Sequence, residues 1–83
     1  EEMNFMVDDV EGALERVLAA YQKEAIAVDA TDGFSLSFEG WRFNLRKSNT
    51  EPLVRLNIEA RGANHLIDHH SETISKLLYG TNL

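Results

Sequence analysis

The sequence has no cysteine, a single proline (Pro52) and no long apolar run. Without cysteine, disulfides and thiolate metal sites are excluded, and a reducing cytoplasm is the expected location. A membrane helix needs roughly 18 consecutive apolar residues, so no membrane partner is expected. The chain opens with Glu1-Glu2 instead of a basic and then apolar stretch, which predicts that a signal peptide is absent. Because the chain also lacks an initiator Met, we expect it to be a piece of a longer protein.

Basic residues are concentrated in one stretch of an otherwise acidic chain. The formal net charge is −6, which argues against a general affinity for nucleic acid or anionic membranes. Residues 40–61 nevertheless hold five basic residues against two acidic ones, whereas the remainder holds three against twelve. An acidic body with one basic strip predicts a local anion site and no nucleic-acid partner.

The N-terminal part of the chain predicts a strand followed by a helix. Residues 3–7 form a short, mainly apolar run, and Asp8 and Asp9 are placed to cap the helix, with Glu11 completing a capping box. Apolar side chains then recur at the spacing of one face of a helix of about fourteen residues. They are Val10, Ala13, Leu14, Val17, Leu18 and Tyr21.

The remainder of the chain predicts four strands and a second helix. Apolar residues recur at every second position in four groups: Ile26, Val28 and Ala30; Phe34, Leu36 and Phe38; Trp41, Phe43 and Leu45; Val54, Leu56, Ile58 and Ala60. Thr31-Asp32-Gly33 and Glu39-Gly40 are turn signals. Asn64 is placed to cap a helix that Gly80 ends.

These elements predict a single two-layer α+β domain over residues 1–83, in the order strand, helix, four strands, helix. Clean alternation means one buried and one exposed sheet face, which is typical of an antiparallel sheet, here of four to five strands. Each helix has one apolar stripe, so both helices should cover the same sheet face.

The connection Arg46-Lys47-Ser48-Asn49-Thr50-Glu51-Pro52 has a composition suited to an anion. Arg46 offers a planar fork of donors that matches two phosphate oxygens, and the hydroxyls and amide add further donors. Asn49 tolerates a left-handed backbone, so successive N–H groups can converge into an anion-binding nest. Ser, Asn and Thr are also common turn residues, so the residues alone leave a phosphate site and an ordinary turn both open.

The run from Arg46 to Arg55 resembles the signature Arg-x-Ser-(Gly or Asn)-Thr-Glu-Pro-x-x-Arg of the α-D-phosphohexomutases, in their C-terminal domain (domain 4). The similarity extends to Glu2-Met3-Asn4-Phe5, to Asp32-Gly33 through Trp41-Arg42-Phe43, and to Leu56 through Gly62, and so covers essentially the whole chain. It implies a fold like that of the TATA-binding protein. It also implies that Arg46, Ser48, Asn49 and Thr50 hold the phosphate that is not transferred. Lys47, at the variable position, and Arg55, beyond the loop, are secondary candidates.

The resemblance also implies what the longer protein does. It would be an isomerase that interconverts mannose 6-phosphate and mannose 1-phosphate through a bisphosphorylated sugar, with Mg²⁺ and a hexose 1,6-bisphosphate activator. The phosphoserine, the magnesium loop and the sugar-binding loop belong to earlier domains in this family. This domain is therefore expected to hold no catalytic residue, no metal and neither cofactor; its partners would be the phosphosugar and the other domains of its own chain.

Asn49 and the run Trp41-Arg42-Phe43-Asn44-Leu45 are most similar to the bacterial phosphomannomutases. Phosphoglucomutase and phosphoglucosamine mutase are the alternatives within the family. Outside it, a non-enzymatic α+β interaction module remains an alternative. DNA binding, suggested by the implied fold, is opposed by the negative charge and by the lack of interleaved aromatics on the exposed face.

Three histidines and a tryptophan are further candidates. His65 and His69 are four residues apart on the second helix, the spacing of a two-ligand metal edge, but no third ligand is recognisable. His70 lies among apolar positions, so a packed histidine is expected. Trp41 alternates with core residues, which favours a core role over ligand stacking. Arg42 and Asn57 are expected on the exposed sheet face.

Overall fold

The computed structural model describes residues 2–31, 33–62 and 64–80, with the side chain of Asn64 excepted. Their elements are β1 (Glu2–Met6), α1 (Val10–Tyr21), a 3₁₀ turn (Gln22–Glu24), β2 (Ala27–Asp29), β3 (Phe34–Phe38), β4 (Trp41–Lys47), β5 (Leu53–Ala60) and α2 (Asn64–Tyr79). The predicted cap by the Asn64 side chain, the turn residue Asp32 and the terminal Glu1 lie outside the described residues. The predicted order of elements and the α+β class are confirmed.

The five strands form one antiparallel sheet in the order β1-β5-β4-β3-β2. The N-terminal strand β1 therefore lies at one edge, beside the last strand β5. β4 is the central strand of the sheet. The β4–β5 register brings Leu45 opposite Leu56 and Arg46 opposite Arg55. Because side chains alternate between faces, the leucine pair and the arginine pair lie on opposite faces of the sheet.

One hydrophobic core lies between the sheet and the two helices. It contains Val7, Ala13, Leu14, Val17, Tyr21, Leu36, Phe43, Leu45, Val54, Leu56, Ile58, Ile74 and Leu78. Both helices contribute to this cluster, and all its strand residues come from one sheet face, so the predicted two-layer packing is confirmed. The other face of the sheet is mainly polar, with Met6 and Leu53 as apolar exceptions, and neither helix covers it.

The start of α1 differs from the prediction in its cap. Asp9 is the N-cap residue, and its carboxylate accepts a hydrogen bond from the Gly12 N–H at 3.1 Å. Glu11 does not complete a capping box; its carboxylate lies 2.6 Å from the Lys47 ammonium. With Asp9 as the cap, Glu11 stands one position too early to reach back to it.

β2 is shorter and more exposed than its apolar pattern predicts. The strand covers only Ala27–Asp29, and Ile26 and Val28 are 72% and 48% exposed. As the edge strand it has one strand neighbour, β3. The alternating pattern alone does not predict this exposure, because it does not reveal whether a helix lies above an edge strand.

Arg16 fastens the C-terminus of α2 to α1. Its guanidinium donates to the carbonyl oxygens of Leu77 and Leu78 at 2.7 and 2.8 Å. These are carbonyls of the last helical turn, where a cation also interacts favourably with the helix dipole. α2 ends at Tyr79, directly before Gly80, as predicted.

Candidate functional site

Arg46 and Lys47 are adjacent in sequence but lie on opposite faces of the sheet. Both belong to β4, which extends two residues further than the predicted strand. Lys47 shares the helix side with Leu45 and forms an ion pair with Glu11 of α1. Arg46 lies on the polar face, half-buried. The predicted loop at residues 46–52 is therefore a strand end followed by a shorter loop at residues 48–52.

Arg46 stands directly opposite Arg55 across β4 and β5. Directly opposed residues have Cβ atoms about 4.5–5.5 Å apart, and like charges in that position are destabilising. Two guanidinium groups placed this way create a local positive potential at the end of the sheet. An anion that accepts hydrogen bonds from both would relieve their repulsion.

The loop at residues 48–52 lies next to this pair and is tied down by backbone hydrogen bonds. The Ser48 N–H donates to the Leu53 carbonyl at 2.9 Å, and the Val7 N–H donates to the Pro52 carbonyl at 3.0 Å. Ser48 Oγ accepts a hydrogen bond of 3.3 Å from the Thr50 N–H. A hydroxyl that accepts in this way keeps its O–H for donation.

The backbone of the loop does not adopt the left-handed conformation expected to favour a nest. No non-glycine residue in the described part of the chain has a positive φ, and this includes Asn49. The Ser48 N–H is also engaged by Leu53, as described above. Side chains, more than a ring of backbone N–H groups, therefore supply the donors at this end of the sheet.

Gly33 gives Arg46 the room to lie where it does. Gly33 has φ +74°, and a Cβ atom there would collide with the Leu45 carbonyl oxygen and lie 2.8 Å from Arg46 Cγ. The turn before β3 thus packs directly against the strand end that presents the guanidinium. Sequence reasoning identified Gly33 only as a turn signal; its contact with Arg46 depends on the β3–β4 pairing.

An open cleft of about 410 Å³ joins these features. Its lining consists of Arg46, Lys47, Ser48, Asn49, Thr50 and Arg55. The structure therefore brings together every residue predicted for the phosphate site. A second hollow, of about 300 Å³, lies at the other end of the sheet beside Trp41 and Arg61. There Arg42 is paired with Glu59 at 3.7 Å, so its charge is already partly balanced.

Glu2 is a further acidic residue of this region that sequence reasoning did not connect to the site. Its carboxylate lies 3.1 Å from Arg55 Nη1, and both side chains are 38% exposed. The two residues are 53 positions apart in the chain, so only the β1–β5 pairing brings them together.

His70 is a packed histidine, as predicted, and Trp41 belongs to the same cluster. The two rings stack with centroids 3.7 Å apart, and His70 Nδ1 is joined to the Tyr21 hydroxyl by a hydrogen bond of 3.0 Å. Burial and the neighbouring His69 lower the pKa of His70, and burial raises the pKa of Tyr21. Both shifts favour the neutral forms. Tyr21 belongs to the hydrophobic core and Trp41 packs against it.

The described residues contain no group of three or more His, Cys, Asp or Glu side chains placed to hold a metal ion. His65 and His69 lie on the exposed side of α2, and no third ligand joins them in that part of the chain. Of the helices that the structure describes, none is both long and apolar enough to cross a membrane.

The sequence of the chain matches a family of known proteins. The chain belongs to the family described as "Phosphoglucomutase/phosphomannomutase, C-terminal domain", which it matches over residues 2–71. It is 52% identical over 79 residues to "Phosphohexose mutases" of Xanthomonas campestris pv. campestris (strain B100), covering 95% of this chain and 18% of that relative.

Two bacterial relatives carry a more specific name. The chain is 51% identical over 77 residues to "Phosphomannomutase" of Salmonella typhimurium (strain LT2), covering 93% of this chain and 17% of the relative. It is 53% identical over 66 residues to "Phosphomannomutase" of Escherichia coli (strain K12), covering 80% and 14%. The chain thus spans less than a fifth of the length of these curated relatives.

Proposed function

We propose that the cleft at the β4–β5 end binds the phosphate group of a phosphosugar. The observation that carries this proposal is the opposition of Arg46 and Arg55 on adjacent strands of the polar face. A phosphate monoester carries about −1.5 to −2 charges at pH 7 and can accept hydrogen bonds from both guanidinium groups. A bound phosphate would thus place an anion between two opposed guanidinium groups and accept charge-assisted hydrogen bonds from them.

The proposed contacts are Arg46, Arg55, Ser48, Asn49 and Thr50. Ser48 and Thr50 offer hydroxyl donors and Asn49 an amide donor, and all three line the same cleft as the arginines. Lys47 also lines the cleft, but it is left out of this set because its ammonium is paired with Glu11 of α1. Its proposed role is to fasten the end of β4 to the start of α1.

For the longer protein we propose a phosphohexomutase activity, the interconversion of mannose 6-phosphate and mannose 1-phosphate. Support comes from the family match and from relatives named phosphomannomutase that are about half identical in sequence. Glucose phosphates are the alternative substrates, since the proposed phosphate clamp (Arg46, Ser48, Asn49, Thr50 and Arg55) contacts only the phosphate and does not distinguish sugar stereochemistry. A cytoplasmic location stays a prediction.

In that reaction this domain would hold the phosphate that is not transferred. A sugar whose two phosphates exchange places must be gripped by whichever phosphate faces the domain, so the clamp should recognise phosphate alone. Remote contacts of this kind accelerate a reaction by positioning the substrate, not by making or breaking bonds. Each charge-assisted hydrogen bond contributes roughly 1.5–3 kcal/mol.

Mg²⁺ and a hexose 1,6-bisphosphate activator would act in the longer protein. Mg²⁺ prefers carboxylate and other oxygen ligands, and we propose that another part of the longer protein supplies them. Magnesium would supply charge stabilisation for the transferring phosphoryl group. The bisphosphate would place one of its phosphates against Arg46 and Arg55.

The proposal is tested by steady-state kinetics on the longer protein with Arg46→Ala. We expect kcat/KM for mannose 1-phosphate to fall about 10- to 150-fold, the equivalent of one lost charge-assisted contact. Arg42→Ala is the matched control, because Arg42 lies on the same strand and face but does not line the cleft. Equal kinetics for wild type and Arg46→Ala would overturn the proposed role.

A further inference from the structure

One anion of the protein itself already lies against the proposed phosphate clamp. The Glu2 carboxylate contacts Arg55 Nη1 at 3.1 Å, and both side chains are partly exposed on the polar sheet face. Glu2 stands opposite Asn57 in the β1–β5 register, and Arg55 stands opposite Asn4. The pair is therefore a diagonal cross-strand contact, which long side chains can span.

Arg55 lies between two groups of opposite charge. On one side it meets Glu2 of β1, and on the other it stands opposite Arg46 of β4. One of its terminal nitrogens is engaged by the carboxylate. A carboxylate at this distance both occupies a donor and reduces the attraction of the guanidinium for a second anion.

We propose that Glu2 is an internal anion that positions Arg55 before phosphate binds and competes with the substrate phosphate for it. This inference rests on the proposed function, because it presumes that the cleft binds phosphate. The Glu2 carboxylate balances part of the Arg46–Arg55 repulsion when no ligand is bound. An incoming phosphate must take over part of that role, so the clamp binds it less tightly than it would without the carboxylate.

A lower affinity for phosphate suits a site from which the sugar phosphate must leave and rebind in each turnover. Glu2 thereby sets the affinity of the clamp without contacting the reacting atoms, which makes it a positioning residue. Another sheet-face acid with a basic partner, Glu59, is paired with Arg42 at 3.7 Å. Arg42 does not line the cleft of Arg46 and Arg55, so Glu59 provides a control of equal charge.

The test is a titration of the 83-residue chain with inorganic phosphate, monitored by backbone amide shifts at residues 46–50. We expect Glu2→Gln to bind phosphate about two- to fivefold more tightly than wild type, the range that an exposed ion pair represents. Glu59→Gln should leave the affinity close to wild type. In an Arg55→Gln background, the Glu2→Gln substitution should produce no gain in phosphate affinity. In the otherwise wild-type chain, high salt should reduce the gain.

A second measurement separates competition from a merely structural role. Without phosphate, Glu2→Gln should lower Tm, because the partner of Arg55 is lost; with phosphate, its Tm should rise by more than that of wild type. Unchanged or weaker phosphate binding by Glu2→Gln, or an equal gain in Glu59→Gln, would overturn this inference alone. If phosphate leaves the amides of residues 46–50 unmoved in the wild-type chain, the proposed function fails as well.

Discussion

At the scale of single residues, the division of labour between Arg46 and Lys47 follows from the pleat of a strand. Consecutive side chains point to opposite faces, so two neighbouring cations on a regular strand leave the backbone in opposite directions and meet different partners. Lys47 meets Glu11 of α1 at 2.6 Å, whereas Arg46 faces the cleft with Arg55. The two residues should therefore respond differently to the same substitution.

Arg46→Ala and Lys47→Ala are predicted to separate phosphate binding from stability. Arg46→Ala should weaken binding of inorganic phosphate to the chain about tenfold or more, because a charge-assisted contact is lost. Lys47→Ala should leave that affinity within about twofold and lower the unfolding free energy by at most about 1 kcal/mol, as expected for an exposed ion pair. Amide-shift titration and urea denaturation measure the two quantities.

Glu11→Gln is the matched control for the stability effect. It removes the other half of the same ion pair and should reproduce the loss caused by Lys47→Ala. A larger fall in phosphate affinity for Lys47→Ala than for Arg46→Ala would reverse the assignment of the two faces.

At the scale of elements, the turn before β3 supports the strand end that carries Arg46. Gly33 has φ +74°, and the backbone carbonyl of Leu45 leaves no room for a side chain. Gly40, in the β3–β4 hairpin turn, has φ +85° but nothing within 4 Å of the position of a Cβ atom. The two glycines therefore share a backbone conformation and differ in their surroundings.

Gly33→Ala is predicted to destabilise the chain more than Gly40→Ala. The left-handed conformation alone costs a non-glycine residue about 1–2 kcal/mol, which both variants should show. Gly33→Ala should lose more, since a backbone atom must move, and it should also weaken phosphate binding by displacing Arg46. Urea denaturation and phosphate titration of both variants check this; equal losses of stability would show that the close approach is unimportant.

The elements themselves could largely be predicted from the sequence, and the ion pairs could not. Alternation of apolar residues in β4 and β5 and the helical spacing in α1 depend on local order, so both were recognisable. The pairing of Glu2 with Arg55, and of Glu11 with Lys47, depends on which strands and helices become neighbours. The capping box predicted for Glu11 was wrong for a local reason: Asp9 and not Asp8 is the N-cap residue, so Glu11 stands one position too early.

The geometry of the candidate cleft could likewise not be predicted from local sequence. Its residues were all named from the run at positions 46–55, but the run does not show that Arg46 and Arg55 are opposed. That opposition requires the β4–β5 register, in which five loop residues separate the two strands. The exposure of Ile26 and Val28 was missed because the pattern of an edge strand is the same as that of a covered strand.

At the scale of the whole molecule, the aromatic cluster around His70 makes the free energy of unfolding depend on pH. His70 of α2 stacks on Trp41 of β4 and contacts Tyr21 of α1, with Glu24 of the 3₁₀ turn and His69 as the charged neighbours. Burial, with a smaller contribution from His69, lowers the pKa of His70 below its ordinary value of 6.5, and Glu24 opposes this shift.

The folded chain is therefore predicted to lose stability on acidification through His70. The unfolded chain takes up the proton near pH 6.5, before the folded chain does, so the contribution of neutral His70 is complete above that pH. It is lost as the pH falls from 6.5 towards the lower folded pKa. The difference in unfolding free energy between wild type and His70→Gln, measured by urea at about pH 7.5 and about pH 5.5, should shrink at the lower pH.

His65→Gln is the control, because His65 is exposed on the same helix. Its difference from wild type should change little over this range. If the advantage of wild type over His70→Gln grows at low pH, attraction between an imidazolium and the indole face of Trp41 outweighs the cost of burying the charge.

An amide-shift titration of the chain with mannose 1-phosphate tests whether the end of β4 and the loop after it form a phosphate clamp. We expect shifts centred on residues 46–50 and on Arg55, with a dissociation constant of about 1 mM, because one clamp supplies only a few kcal/mol. Unphosphorylated mannose should cause none of them. Shifts confined to the helices, or equal shifts with mannose, would contradict it.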